Sequence, residues 1–106
     1  MVKFVGLIKK KEGMSMREFE EHWQKVHVPL MLKTPGVLKY RINIVDKQES
    51  MNPEAPIDGF SEVWFDSLES MNACLNSPEF DKIREDVPNF QSQIYRVVLH
   101  EHVKKD

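Results

Sequence analysis

Two stretches with helical periodicity interrupt four short runs of β-forming residues, and that order leaves few ways to bury the apolar groups. Val2 to Ile8 is apolar and is stopped by Lys9-Lys10-Lys11-Glu12-Gly13, which reads as a strand running into a turn. Ser15, with Glu18 three residues on, opens the first helix as a capping box. Pro35-Gly36 cannot continue that helix, so it ends around Leu32. At about 100° per residue, Met16, Phe19, Trp23, Val26 and Leu30 form one stripe, with His22 at one margin and His27 at the other. Pro29 has no N–H and its ring clashes with the carbonyl four residues back, so the Lys25 carbonyl should be free or hydrated.

Val37 to Val45 reads as a second strand, with Leu38, Tyr40, Ile42 and Ile44 on one face and Lys39, Arg41 and Asn43 on the other. Asp46 to Ile57 is polar, carries Pro53 and Pro56, and is expected to be a mobile loop outside the core. Gly59 to Phe65 is a third strand. A second helical stretch starts at Asp66 or Ser67 and runs through Leu75. It restarts at Ser77-Pro78, with Ser77 as cap and Pro78 in the first turn, and Pro88 stops it. Gln93 to Val103 is the last strand. The order β-α-β-β-α-β defines an α+β fold, a ferredoxin-like unit with two helical layers on one face of a four-stranded antiparallel sheet. At 106 residues this is one domain.

In such a fold the second sheet face should read polar if water covers it. Here it does not. The last strand offers Ile94 and Val98 on one side and Tyr95, Val97, Leu99 and Val103 on the other, and the third sets Phe60 and Trp64 against Val63 and Phe65. Each buried Val, Leu or Phe is worth roughly 1.5–3 kcal/mol, so a homodimer packed sheet to sheet is the expected remedy.

A formal net charge of −2, with basic residues dispersed among acidic ones, argues against a nucleic-acid partner. No apolar run approaches the roughly 20 residues that span a bilayer, and the N-terminus lacks the long apolar stretch of a signal peptide. A single cysteine, Cys74, excludes an internal disulfide and fits a reducing compartment, so a cytoplasmic setting is expected.

Three groups of residues then become specific. They are Phe19-x3-Trp23-x3-His27-x-Pro29-Leu30, then Pro35-Gly36-x3-Tyr40-x2-Asn43, then Asp58-Gly59-x2-Glu62-x-Trp64-Phe65-Asp66-Ser67. Together they resemble the EthD family of dimeric α+β-barrel proteins, and the likeness runs from about Val2 to Val103. The resemblance implies a ferredoxin-like subunit, a dimer, and a pocket between helices and sheet. It implies relatives that include a component of ethyl tert-butyl ether degradation, a methylmuconolactone isomerase, and dehydratases or cyclases of aromatic polyketides. Similar folds also host cofactor-free quinol monooxygenases and haem enzymes, so the fold narrows the reaction little.

Among candidate residues His27 stands first, as a general acid or base. Its ordinary pKa near 6.5 suits proton exchange, and an apolar rim would favour the neutral, basic ring. The family resemblance strengthens that role; the plainer alternative is a helix-end ring bonded to a backbone carbonyl. His22 reads as a boundary ring packed on a strand. Tyr40 either orients a substrate oxygen or simply buries its ring, while Asn43 lies on the opposite strand face. Glu62, among aromatics, is a candidate for substrate contact and proton transfer, or else a salt-bridge partner of Arg41 or Arg96. Trp23 and Trp64 are expected as core or as walls of a substrate cavity. His100 and His102 share a strand face but lack an evident third metal ligand, so no metal is expected. Cys74, near the second helix's apolar stripe, reads as an inert buried thiol. No glycine-rich phosphate loop is present.

The leading reading is therefore a small cofactor-independent enzyme that moves a proton on an apolar or aromatic metabolite, by isomerisation, dehydration or cyclisation. His27 would be the acid/base, with Trp23, Tyr40, Glu62 and Trp64 contacting substrate. One alternative is oxygenation of an electron-rich substrate such as a quinol, or an accessory role in oxidative degradation. Another is a non-catalytic dimeric binder of a hydrophobic small molecule.

Overall fold

The computed structural model describes residues 1–106. Strand β1 spans Val2–Lys10, β2 Lys39–Ile44, β3 Gly59–Phe65 and β4 Gln91–Leu99. They form one antiparallel sheet in the order β2-β3-β1-β4, the ferredoxin-like arrangement, with both helical layers on one face. Strand β4 begins two residues before its expected start and ends at Leu99, so His100 and His102 lie beyond the sheet.

Local chemistry sets the helix ends. Ser15 caps α1, Met16–His22, and accepts from the Glu18 N–H at 3.0 Å, while the Glu18 carboxylate accepts from the Ser15 N–H at 2.9 Å. Ser67 caps α3, Leu68–Leu75, and Ser77 caps α4, Pro78–Asp86, with Pro78 in the first turn. The first helix is not uniform. A π-helical turn, Trp23–His27, separates α1 from the short α2, Val28–Met31, and the Val28 N–H reaches back five residues to the Trp23 carbonyl. Pro29 thus sits in the first turn of a new α-helical segment, where its missing N–H costs least.

Two clusters fill the space between helices and sheet. Phe19, Trp23 and Phe90 are fully buried with Ile8 toward one end, and Phe65, Cys74, Phe80 and Ile83 pack toward the other. Gly59 permits the first cluster: a Cβ there would stand 2.6 Å from the Trp23 ring and 2.7 Å from the Asn43 carbonyl oxygen. Gly36, at φ +81°, turns the chain from helix to β2.

The opposite sheet face is mixed. Tyr95, Val97 and Leu99 are exposed there beside the exposed Leu7, and they form its apolar half. Val98, paired with Phe4, belongs to the helix-covered face. The other half is charged. Trp64 is only 6 % exposed because Lys3 and Lys39 lie over its ring at 4.8 Å and Arg41 at 5.6 Å. The segment between β2 and β3 is irregular, as expected, yet it is braced. Lys47 Nζ donates to the Ala55 and Ile57 carbonyls at 3.0 and 2.9 Å and pairs with Asp58 at 3.3 Å. No helix is long and apolar enough to cross a membrane.

Candidate functional site

His27 enters the site because the π turn feeds it there. The ring is 6 % exposed, packs 4.8 Å from the Phe90 ring, and lines an apolar cavity of about 50 Å³ between the helices and the sheet. Its Nδ1 lies 2.8 Å from Asp86 Oδ2, at the end of α4. No protein atom bonds Nε2, the nitrogen left for chemistry.

Asp86 is the residue that sequence reasoning missed. It is buried, and it holds His22 as well: His22 Nε2 stands 2.9 Å from Oδ1 and 3.2 Å from Oδ2. The Asn89 amide donates to Oδ1 at 3.0 Å. The two imidazoles flank Phe90, with His22 stacked on its ring at 4.9 Å. His22 is therefore more than a boundary ring, since it is the second partner of the carboxylate that orients His27.

The electrostatics favour a neutral His27 with an ionised Asp86. Burial pushes the His27 pKa below its ordinary 6.5, outweighing the opposite pull of the Asp86 bond and charge; His22 and Arg96 push it further down. Burial alone would raise Asp86, but the Asn89 amide and the two imidazoles hold it below its ordinary 3.8. A carboxylate at Nδ1 keeps the proton on that nitrogen and turns the Nε2 lone pair toward the cavity.

Trp23 and Tyr40 line the same cavity. The Trp23 indole N–H and the Tyr40 hydroxyl are buried there as neighbours, neither in a well-formed hydrogen bond, and both amide atoms of Gln91 are unbonded too. Burial pushes the Tyr40 hydroxyl up to about 12 against a smaller opposite pull from the Trp23 indole N–H, so it is a neutral donor at physiological pH. An outer depression formed by Gln24, Val28, Tyr40 and Ile42 shares Tyr40 with the inner cavity.

Glu62 and Trp64 do not join them. Residues two apart on β3 share a face, and here that face is the one away from the helices, whereas Ser61, Val63 and Phe65 line the cavity. Glu62 pairs with Lys3 at 2.6 Å, rather than with Arg41 or Arg96, and accepts from the Asn43 amide at 3.0 Å. Burial would raise its pKa, but these partners hold it below the usual carboxylate range, so it is a poor proton donor or acceptor near neutral pH. The expectation that Glu62 and Trp64 contact a substrate beside His27 is corrected accordingly. Cys74 is fully buried, and burial pushes its thiol pKa up.

The EthD domain family matches residues 11–93, and the chain belongs to that family. An uncharacterized 11.0 kDa protein of Rhodococcus erythropolis, encoded in the thcB-thcC intergenic region, is 30 % identical over 74 residues, 70 % of each chain. Among solved structures, an EthD family protein of Bacillus halodurans aligns with a TM-score of 0.81 at 23 % identity, covering 96 % of this chain and 99 % of the other. A dimeric protein of ferredoxin-like fold from Bacteroides fragilis aligns at 0.68 and 16 % identity over 94 % and 95 %. SnoaB, a cofactor-independent oxygenase from Streptomyces nogalater, aligns at 0.68 and 11 % identity over 97 % and 94 %. These structures share the fold.

Proposed function

We propose that this chain is a small enzyme that moves a proton on an apolar small molecule bound between helices and sheet, without a cofactor. One observation carries the reading. A buried histidine is bonded through Nδ1 to a buried carboxylate, and its other nitrogen is unpartnered on an apolar cavity. A ring serving only as packing needs no ionised partner, and burying one is costly unless it is well bonded. In this reading Nε2 takes a proton from carbon or oxygen, the imidazolium that forms is stabilised by Asp86, and the same nitrogen returns the proton. Isomerisation, dehydration and cyclisation all consist of such steps. Tyr40 and Gln91 would bond the substrate's oxygens, and Trp23 would form the wall.

The exposed apolar half of the free sheet face supports a homodimer, as does the dimeric relative of the same fold. The test of the catalytic reading is exchange of solvent deuterium into candidate lactones and aromatic ketones, followed by NMR. His27→Gln should retain fold and assembly while lowering exchange by roughly 10²–10⁴. Undiminished exchange in that variant would refute the assignment. Oxygenation is the second reading, favoured by the fold shared with SnoaB. Uptake of O₂ with phenolic substrates separates it from simple proton transfer.

A further inference from the structure

We propose that the cavity selects a small apolar acid, a hydrophobic body carrying one oxyanion, and that Arg96 at the rim receives the negative charge. This rests on the preceding reading of the cavity as the ligand site and adds the ligand's charge. Arg96 lies directly across from Gly6, which in turn pairs with Ser61, and all three line the cavity. Gly6 brings no side chain of its own, and a Cβ there would stand 2.9 Å from the Ser61 hydroxyl and 3.1 Å from the Ile94 side chain, so Ser61 and Ile94 close over this row of the sheet floor beside Arg96. Arg96 is an exposed residue that also borders the cavity, so it stands at the rim rather than in the interior.

The charge at that mouth is uncompensated. Arg96 makes no ion pair, and the charged neighbour that acts on it is Arg84, another cation already occupied by Asp81 and the Leu75 carbonyl. Inside, the groups without a well-formed hydrogen bond are the Gln91 amide, 5 % exposed, the Tyr40 hydroxyl and the Trp23 indole N–H. Buried polar groups are ordinarily bonded, so three left bare in one cavity mark where a ligand's polar atoms belong. The remaining lining is dominated by apolar side chains such as Phe4, Ile8, Val63 and Ile94. One cation at the rim, three neutral hydrogen-bonding groups within and an apolar wall together describe a monoanion with a hydrophobic body. The same cation would stabilise an enolate or phenolate formed when His27 removes a proton.

The test compares charged and neutral probes of equal shape, benzoate with benzamide and hexanoate with hexanamide, by NMR titration at mildly alkaline pH. The signals followed are those of His27, Trp23 and Tyr40. Each carboxylate should bind about tenfold more tightly than its amide, the scale of one charge-assisted hydrogen bond. Arg96→Gln should reduce that preference to about twofold or less, and Arg96→Lys should restore most of it. Equal binding of acid and amide to the native protein overturns the charge inference alone, as does a preference that survives in Arg96→Gln. If no probe of either kind shifts the cavity signals, the cavity is not the ligand site. Both this inference and the catalytic reading then fall.

Discussion

Replacing Asp86 by Asn tests the site without needing a substrate. The carboxylate, 7 % exposed, accepts from His27, His22 and Asn89 at 2.8, 2.9 and 3.0 Å. Asparagine keeps one acceptor oxygen and sets an NH₂ where the other stood, facing groups that themselves donate. One or two charge-assisted bonds are lost, each worth roughly 1.5–3 kcal/mol, so the expected loss is about 2–4 kcal/mol. In a chain of this size that lowers Tm by about 10–20 °C. The pH dependence carries more information. In the native protein the Asp86 pKa lies below 3.8, so its stabilisation is present above that value and is lost as pH falls through the folded pKa. The His27 pKa lies below 6.5, so the unfolded chain binds that proton first, and stability declines as pH falls from 6.5 toward the folded value. In Asp86→Asn the loss attributable to Asp86 disappears. His27 loses the partner that raised it, its pKa drops further, and its own zone of declining stability widens downward. Denaturant melts across pH, with imidazole NMR titration, measure both effects. A His27 that titrates at or above its native value in the variant would refute the reasoning, and so would a loss below about 1 kcal/mol.

His22→Ala should cost about 1 kcal/mol or less, since that ring is 22 % exposed and the Asp86–His27 bond survives; denaturant melts decide. Tyr40→Phe removes a buried hydroxyl that makes no well-formed hydrogen bond, so melting should be unchanged or slightly higher while ligand affinity falls. A clear loss of stability would mean the hydroxyl is bonded within the protein. Val97→Asp or Leu99→Asp puts a charge in the apolar half of the free sheet face and should dissociate the homodimer, read by sedimentation. Unchanged dimers from both would place the interface elsewhere.

Much of the fold was legible because its signals are local. Ser15 with Glu18, Ser67, Ser77-Pro78 and the Gly59 to Phe65 strand all mark positions where one side chain satisfies or interrupts nearby backbone. The site was legible only by half. His27 and Trp23 could be placed from periodicity because they share one helix. Asp86 could not, because its meaning comes from a contact 59 residues away, and beside Glu85 it reads as one more solvated acid. Glu62 and Trp64 show a different limit. Alternation along β3 says that they share a face, but both faces carry large apolar residues, so the pattern cannot say which one meets the helices. Only the cations stacked over Trp64 reveal how an aromatic on the outer face becomes buried.

The π turn has a consequence for how this helix can vary. A loop closed over five residues instead of four holds one residue more than an α-helix needs, so the segments before and after it are out of phase by about 100°. Upstream phase seats Phe19 on the sheet, and downstream phase seats Met31 in the second cluster. Loss of one residue between Trp23 and His27 would restore a regular helix and force a choice between those two anchors. The segment therefore behaves as a vernier, in which a single added residue lets one rod engage two cores and turns His27 inward at the step between them.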